Sequence, residues 1–107
     1  MLLNQLSAIE LKNKILQQEN VFLLDVRELH EYKYASITNS ILIPLNQIPS
    51  RINELDKEQE IVVICHHGVR SQQAANYLIQ SGFKNIWNLT GGIDAWSCNA
   101  DSSVHRY

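Results

Sequence analysis

A cysteine placed between a run of β-branched residues and a glycine is where this chain could do chemistry. Residues 60–82 read EIVVICHHGVRSQQAANYLIQSG. Glu60 to Cys65 has the composition of a buried strand. Ser71 to Gln80 carries Ala74, Ala75, Leu78 and Ile79 at helical spacing, and Gly82 supplies the stop. The loop Cys65-His66-His67-Gly68-Val69-Arg70 therefore joins a strand end to a helix start. In open parallel sheets, ligands bind at such junctions. Three features favour thiolate over thiol at Cys65. Amides at the helix start carry partial positive charge. Gly68 permits a nest of successive amides. Arg70 is a permanent cation. The thiolate is the nucleophilic form. The alternative is a buried structural thiol ending a strand, but such a thiol needs no following glycine and arginine.

His66 and His67 would rim the pocket. They could bind an anionic donor when protonated, or fill loop positions and face water. A metal site is not expected, because Cys65, His66 and His67 are contiguous on one tight loop. Arg70 could anchor the loop through a carboxylate and share in the field at the sulfur. Cys98, the second of two cysteines, either resolves a disulfide with Cys65 or is incidental; the second reading suits a reducing compartment.

Other elements must hold that loop. Ser7-Ala8-Ile9-Glu10 fits a capping box, opening a helix from Ala8 to about Gln18. Val21 to Val26 is apolar on both faces until Asp25 and reads as a strand buried on both sides. RELHEYKY reads as a helical turn. Ser40 to Leu45 reads as a strand that ends near Pro44, and Pro49 opens a helix through about Leu55. Phe83 to Leu89 reads as a strand, and TGGIDAW as a turn into a short helix. Strands alternating with helices predict an α/β three-layer sandwich, a mostly parallel central sheet with helices on both faces. Residues 97–107 contain little apolar surface and read as a loose C-terminal tail.

The 107 residues suit one domain spanning 1–107. The net charge of −2 comes from interspersed signs, so no basic stripe argues for nucleic acid and no acidic run argues for a disordered tail. Asn4 and Gln5 interrupt the apolar start, which argues against a signal peptide, and no segment has membrane-spanning length. The expected location is the cytoplasm.

Four stretches, LLDVRELHEY (23–32), NSILIPL (39–45), IVVICHHGVRSQQAANYLIQSGF (61–83) and NLTGGIDAW (88–96), resemble the single-domain rhodanese-like sulfurtransferase family. The resemblance implies a Cys65 persulfide that takes sulfane sulfur from a donor such as thiosulfate and gives it to cyanide or a thiol. It implies that the loop backbone of His66, His67, Gly68, Val69, Arg70 and Ser71 cradles the outer sulfur and forms the substrate-binding site. Asp25 and Arg27 match an Asp-x-Arg pair and are expected to form an ion pair supporting the site. Gly91 and Gly92 are expected to support the loop by close backbone approach. No cofactor is implied. A thioredoxin-like or sulfur-relay protein is a candidate partner. Ala35-Ser36-Ile37 stands where the family often has Gly-His-Ile, so any role of that histidine is absent here. Alternatives are a persulfide carrier, a regulatory module, and a small phosphatase or arsenate reductase. Related phosphatases space cysteine and arginine by five residues; here four intervene, which makes a smaller cradle.

Overall fold

The computed structural model describes residues 3–107. Met1 and Leu2, part of the apolar start weighed as a leader, lie outside the described residues. The elements follow the order β1 (Asn4–Leu6), α1 (Ala8–Leu16), β2 (Val21–Asp25), α2 (Leu29–Tyr34), β3 (Ile41–Leu42), α3 (Ile48–Arg51), β4 (Glu60–Ile64), α4 (Val69–Gln80), β5 (Ile86–Leu89) and α5 (Gly92–Asn99). Two 3₁₀ turns, Leu45–Gln47 and Ile52–Glu54, flank α3.

The five strands form one parallel sheet in the order β1-β5-β4-β2-β3. Alternation along the central strands divides the core into two layers. Leu24, Ile61 and Val63 point to one face and pack with Ile48, Ala74, Ala75, Leu78 and Phe83 from the α3 and α4 side. Leu23, Val62 and Ile64 point to the other and pack with Leu11, Ile93 and Trp96 from α1 and α5. The result is the expected three-layer α/β sandwich. No helix among the described residues is long and apolar enough to cross a membrane.

The capping box at the start of α1 is formed: Glu10 N–H donates to Ser7 Oγ at 3.1 Å and Ser7 N–H to Glu10 Oε1 at 2.9 Å. Other elements differ from the sequence reading. The helix expected from Pro49 through about Leu55 is α-helical only over Ile48–Arg51 and goes on as the 3₁₀ turn Ile52–Glu54. Asn4–Leu6 pairs with β5 as an edge strand, a pairing too short and polar for periodicity to show. The expected Ser40–Leu45 strand is paired in register only at Ile41 and Leu42, although Ile43 N–H still donates to Asp25 O at 2.9 Å and Leu45 N–H to Val26 O at 3.0 Å; Pro44 takes the outward-facing position between them on this edge strand, where no ladder donor is needed. The expected loose tail is instead packed: α5 runs to Asn99, and the segment beyond returns to the sheet's carboxyl end.

The chain leaves β2 toward one edge and β4 toward the other, so the sheet reverses its winding between these neighbours. Their ends are in register, Asp25 opposite Ile64, with Val26 N–H donating to Ile64 O at 2.9 Å. Such a switch point opens a crevice at the carboxyl ends of the strands. Arg27 and Cys65 both stand there.

Leu24, fully buried in the central sheet, tests the core that holds this crevice. Leu24→Ala should cost about 2–5 kcal/mol, read as a lower urea midpoint with an unchanged slope.

Candidate active site

Strand β4 ends at Ile64, and α4 begins at Val69, two residues earlier than the sequence suggests. Arg70 is therefore already helical, and the loop proper is residues 65–68. Gly68 occupies the position before the helix with φ 108°, a left-handed conformation that a side chain rarely adopts. That turn aims its N–H back at the cysteine, donating to Cys65 Sγ at 3.0 Å. The sulfur is buried, with the residue 1% exposed. Its thiol donates to Ser71 Oγ at 3.4 Å.

Ser71 in turn donates to Asn88 Oδ1 on β5. Asn88 Nδ2 donates to Gln5 Oε1 at 3.0 Å and to Gly68 O at 3.4 Å. Asn88 was not singled out from sequence. Its signal was there: one amide inside the otherwise apolar Ile86-Trp87-Asn88-Leu89 strand, which once buried must find partners.

The loop's carbonyls are held from behind. Ile93 N–H donates to Cys65 O at 2.8 Å and Asp94 N–H to His66 O at 3.1 Å. These are free amides of the first turn of α5. The approach is so close that a Cβ on Gly92 would lie 2.4 Å from both carbonyl oxygens, and Gly92 has φ 62°. Gly91 caps the same helix.

Charged side chains near the carboxyl end of the sheet meet in pairs. Asp25 and Arg27 are both fully buried, with Arg27 Nη2 donating to Asp25 Oδ2 at 2.6 Å and Nε to Oδ1 at 2.9 Å. Arg27 Nη2 also donates to Ala35 O at 2.6 Å, tying α2's end to the site. Arg70 makes a two-pronged contact with Glu31 on α2: Nη1 to Oε2 2.8 Å and Nη2 to Oε1 2.9 Å. This holds the Glu31 carboxyl down to about 2. Glu31 was not a sequence candidate, since nothing in the local pattern says that residues 31 and 70 meet.

The tail contributes a lid. Tyr107 lays its ring on His66, centroids 3.9 Å apart and planes 7° from parallel. Its hydroxyl accepts from Arg27 Nη1 at 2.8 Å and donates to Glu31 Oε1 at 3.0 Å. Arg106 Nε donates to Asp94 Oδ1 at 2.9 Å. His66 is stacked on its other side by His67. Burial holds the His66 imidazole below its ordinary value, and neighbouring His67 adds to this. His67 and Val69 are exposed on the rim. Cys98 is exposed on α5.

A buried thiol at a strand-to-helix turn, receiving an amide and braced by a glycine pair, now has relatives to be set beside. The family model described as Rhodanese-like domain matches residues 7–99. This chain belongs to that family. A protein of Allochromatium vinosum named sulfurtransferase is 34% identical over 96 residues, covering 90% of each chain. The adenylyltransferase and sulfurtransferase MOCS3 of Arabidopsis thaliana is 33% identical over 97% of this chain, which spans 26% of that protein. Among solved structures, a rhodanese-like domain protein from Staphylococcus aureus superposes with a TM-score of 0.86 at 32% identity, over 98% of this chain and 99% of that one. The rhodanese-like fold of this domain is thus matched over nearly its full length.

Two outcomes test the site's construction. Because Arg70 depresses Glu31 in the native state, the unfolded chain takes up the Glu31 proton first as pH falls. The pair's stabilisation is therefore full above about pH 5 and is lost as pH drops toward about 2. The melting temperature of Glu31→Gln should fall below wild type at neutral pH, the gap closing toward the acid end. Gly92→Ala should cost about 1–3 kcal/mol or more in denaturation, from strained φ and carbonyl clash. It should also slow alkylation of Cys65 by iodoacetamide, as the loop carbonyls are pushed off α5.

Proposed function

We propose that this rhodanese-like domain is a sulfurtransferase that carries sulfane sulfur on Cys65 as a persulfide. The observation that carries the reading is the Gly68 N–H aimed at the buried Sγ at 3.0 Å. A donated hydrogen bond stabilises negative charge on the sulfur, and a thiolate is what attacks a sulfane sulfur. Names of relatives that share most of this chain support the same class.

In the first half-reaction the Cys65 thiolate attacks the outer sulfur of a donor such as thiosulfate. The donor's S–S bond breaks and its leaving group departs with the electron pair. In the second, cyanide or a thiol takes the outer sulfur and the thiolate returns. His66, His67, Gly68, Val69, Arg70 and Ser71 surround the transferred sulfur. Asp25, Arg27, Gly91 and Gly92 hold the loop that presents it. The step calls for no metal or organic cofactor. A thiol on a thioredoxin-like or sulfur-relay protein is a suitable acceptor, and the cytoplasm, where thiols stay reduced, suits this chemistry. Four residues between Cys65 and Arg70 leave a cradle sized for one sulfur rather than a phosphoryl group.

A second reading, a persulfide carrier within a longer delivery protein, is favoured by one observation: this chain matches only about a quarter of the length of the Arabidopsis relative. It differs in the acceptor, not in the Cys65 chemistry.

Intact-mass measurement after exposure to thiosulfate and to cysteine persulfide tests the proposal. The wild type should gain one sulfur atom, cyanide should remove it as thiocyanate, and Cys65→Ser should gain none. No gain from any donor, or a gain that survives the substitution, overturns it.

A further inference from the structure

Each of the three arginines that the described structure ties to the cysteine loop or to the residues packed on it is already balanced by a carboxylate of this chain. Arg27 is bound to Asp25, with both side chains fully buried. Arg70 is bound at both nitrogens by Glu31. Arg106 is bound to Asp94, whose Oδ2 also lies 3.9 Å from His67 Nδ1. His66 sits packed between two rings, and its burial favours the neutral imidazole. The three guanidinium groups and three carboxylates cancel, so the mouth offers no surplus permanent cation.

That balance bears on what can approach an anionic sulfur. Thiosulfate is a dianion, and its attack by the Cys65 thiolate collects three negative charges in one small site. An organic persulfide, R–S–SH or R–S–S⁻, collects one or two. Repulsion between like charges at contact distance is strong wherever water is thinned out. Without a free cation to offset it, the dianion is the disfavoured donor.

A second observation points the same way. A cleft of about 400 Å³ opens beside the Arg70–Glu31 pair, lined by His30, Glu31, Tyr34 and Tyr107. Tyr34 is 57% exposed there, and its ring meets Tyr107 edge-on at 5.9 Å. Thiosulfate has no group to place against these rings, whereas the carbon body of a thiol persulfide does.

We propose that the sulfur donor of this site is an organic thiol persulfide, its carbon body seated against Tyr34 and Tyr107, and that Glu31 sets the preference by neutralising Arg70. This rests on the Cys65 persulfide proposed above. The Cys65 thiolate attacks the terminal sulfur of R–S–SH. A new S–S bond forms to Cys65 as the donor's S–S bond breaks. R–S⁻ leaves with the electron pair and takes a proton from water. Cys65 is oxidised to the persulfide, and the donor's organic sulfur is reduced to a thiol.

The experiment compares rates of sulfur loading on Cys65, followed by intact mass, from equal concentrations of cysteine persulfide and thiosulfate. Wild type should load faster from cysteine persulfide by at least about tenfold. Glu31→Gln should shrink that ratio by raising the thiosulfate rate. Tyr34→Ala, which leaves every ion pair in place, should slow loading from cysteine persulfide and leave thiosulfate unchanged. Thiosulfate loading at an equal or greater rate in wild type overturns the preference alone. A ratio that neither substitution moves overturns the roles assigned to Glu31 and Tyr34. Failure of both donors to load Cys65 overturns the transfer reading together with this one.

Discussion

The cysteine loop depends on where two of its carbonyls go. A short turn leaving a strand has as many C=O groups as N–H groups, and a carbonyl facing the thiol would repel charge there. Here the oxygens of Cys65 and His66 are taken by Ile93 and Asp94, amides that open α5 and lack partners within their own helix. Two sets of unsatisfied groups complete each other. With its carbonyls turned back, the loop can present the Gly68 N–H to the sulfur. Gly92 is the residue that lets the backbones come so close. The site is thus a joint between two strand-to-helix turns, those after β4 and β5.

Around that joint, electrostatics is arranged by pairing rather than by accumulation. Arg27, Arg70 and Arg106 come from three separate parts of the chain, and each meets a carboxylate. Tyr107 bridges two of these pairs through one hydroxyl. Breaking such a pair leaves its surviving member without compensation, most severely for the fully buried Asp25 and Arg27. The pairs fix geometry as well as charge: Arg27 also reaches Ala35 O, which ties the end of α2 to the end of β2.

The sequence carried the layered architecture because its central strands announce themselves. VFLLDV and EIVVIC are apolar on both faces, as strands between two helix layers must be. Cys65, Gly68 and Arg70 were legible because their order along one turn is local. What could not be read is what depends on distant segments. Glu31 meeting Arg70 spans 39 positions, and Tyr107 reaching Arg27 spans 80. The last residues read as unstructured because their apolar groups are few and scattered, and only the fold supplies the core against which Ala100 and Val104 pack and the His66 and Tyr34 rings that His105 and Tyr107 meet. The edge strand at Asn4–Leu6 escaped because three residues are too few for alternation to register.

That edge strand has an effect on the opposite side of Asn88. Gln5 Oε1 accepts both from Asn88 Nδ2 at 3.0 Å and from Thr90 Oγ1 at 3.1 Å. Asn88 is the residue that engages Ser71 and Gly68. If β1 frays, as border strands do more readily than central ones, Asn88 loses an acceptor and its amide is freer to rotate. A fluctuation at the margin of the sheet is then relayed through one carboxamide to the groups that touch the sulfur, so the nucleophile's surroundings are only as steady as the outermost three residues of the ladder.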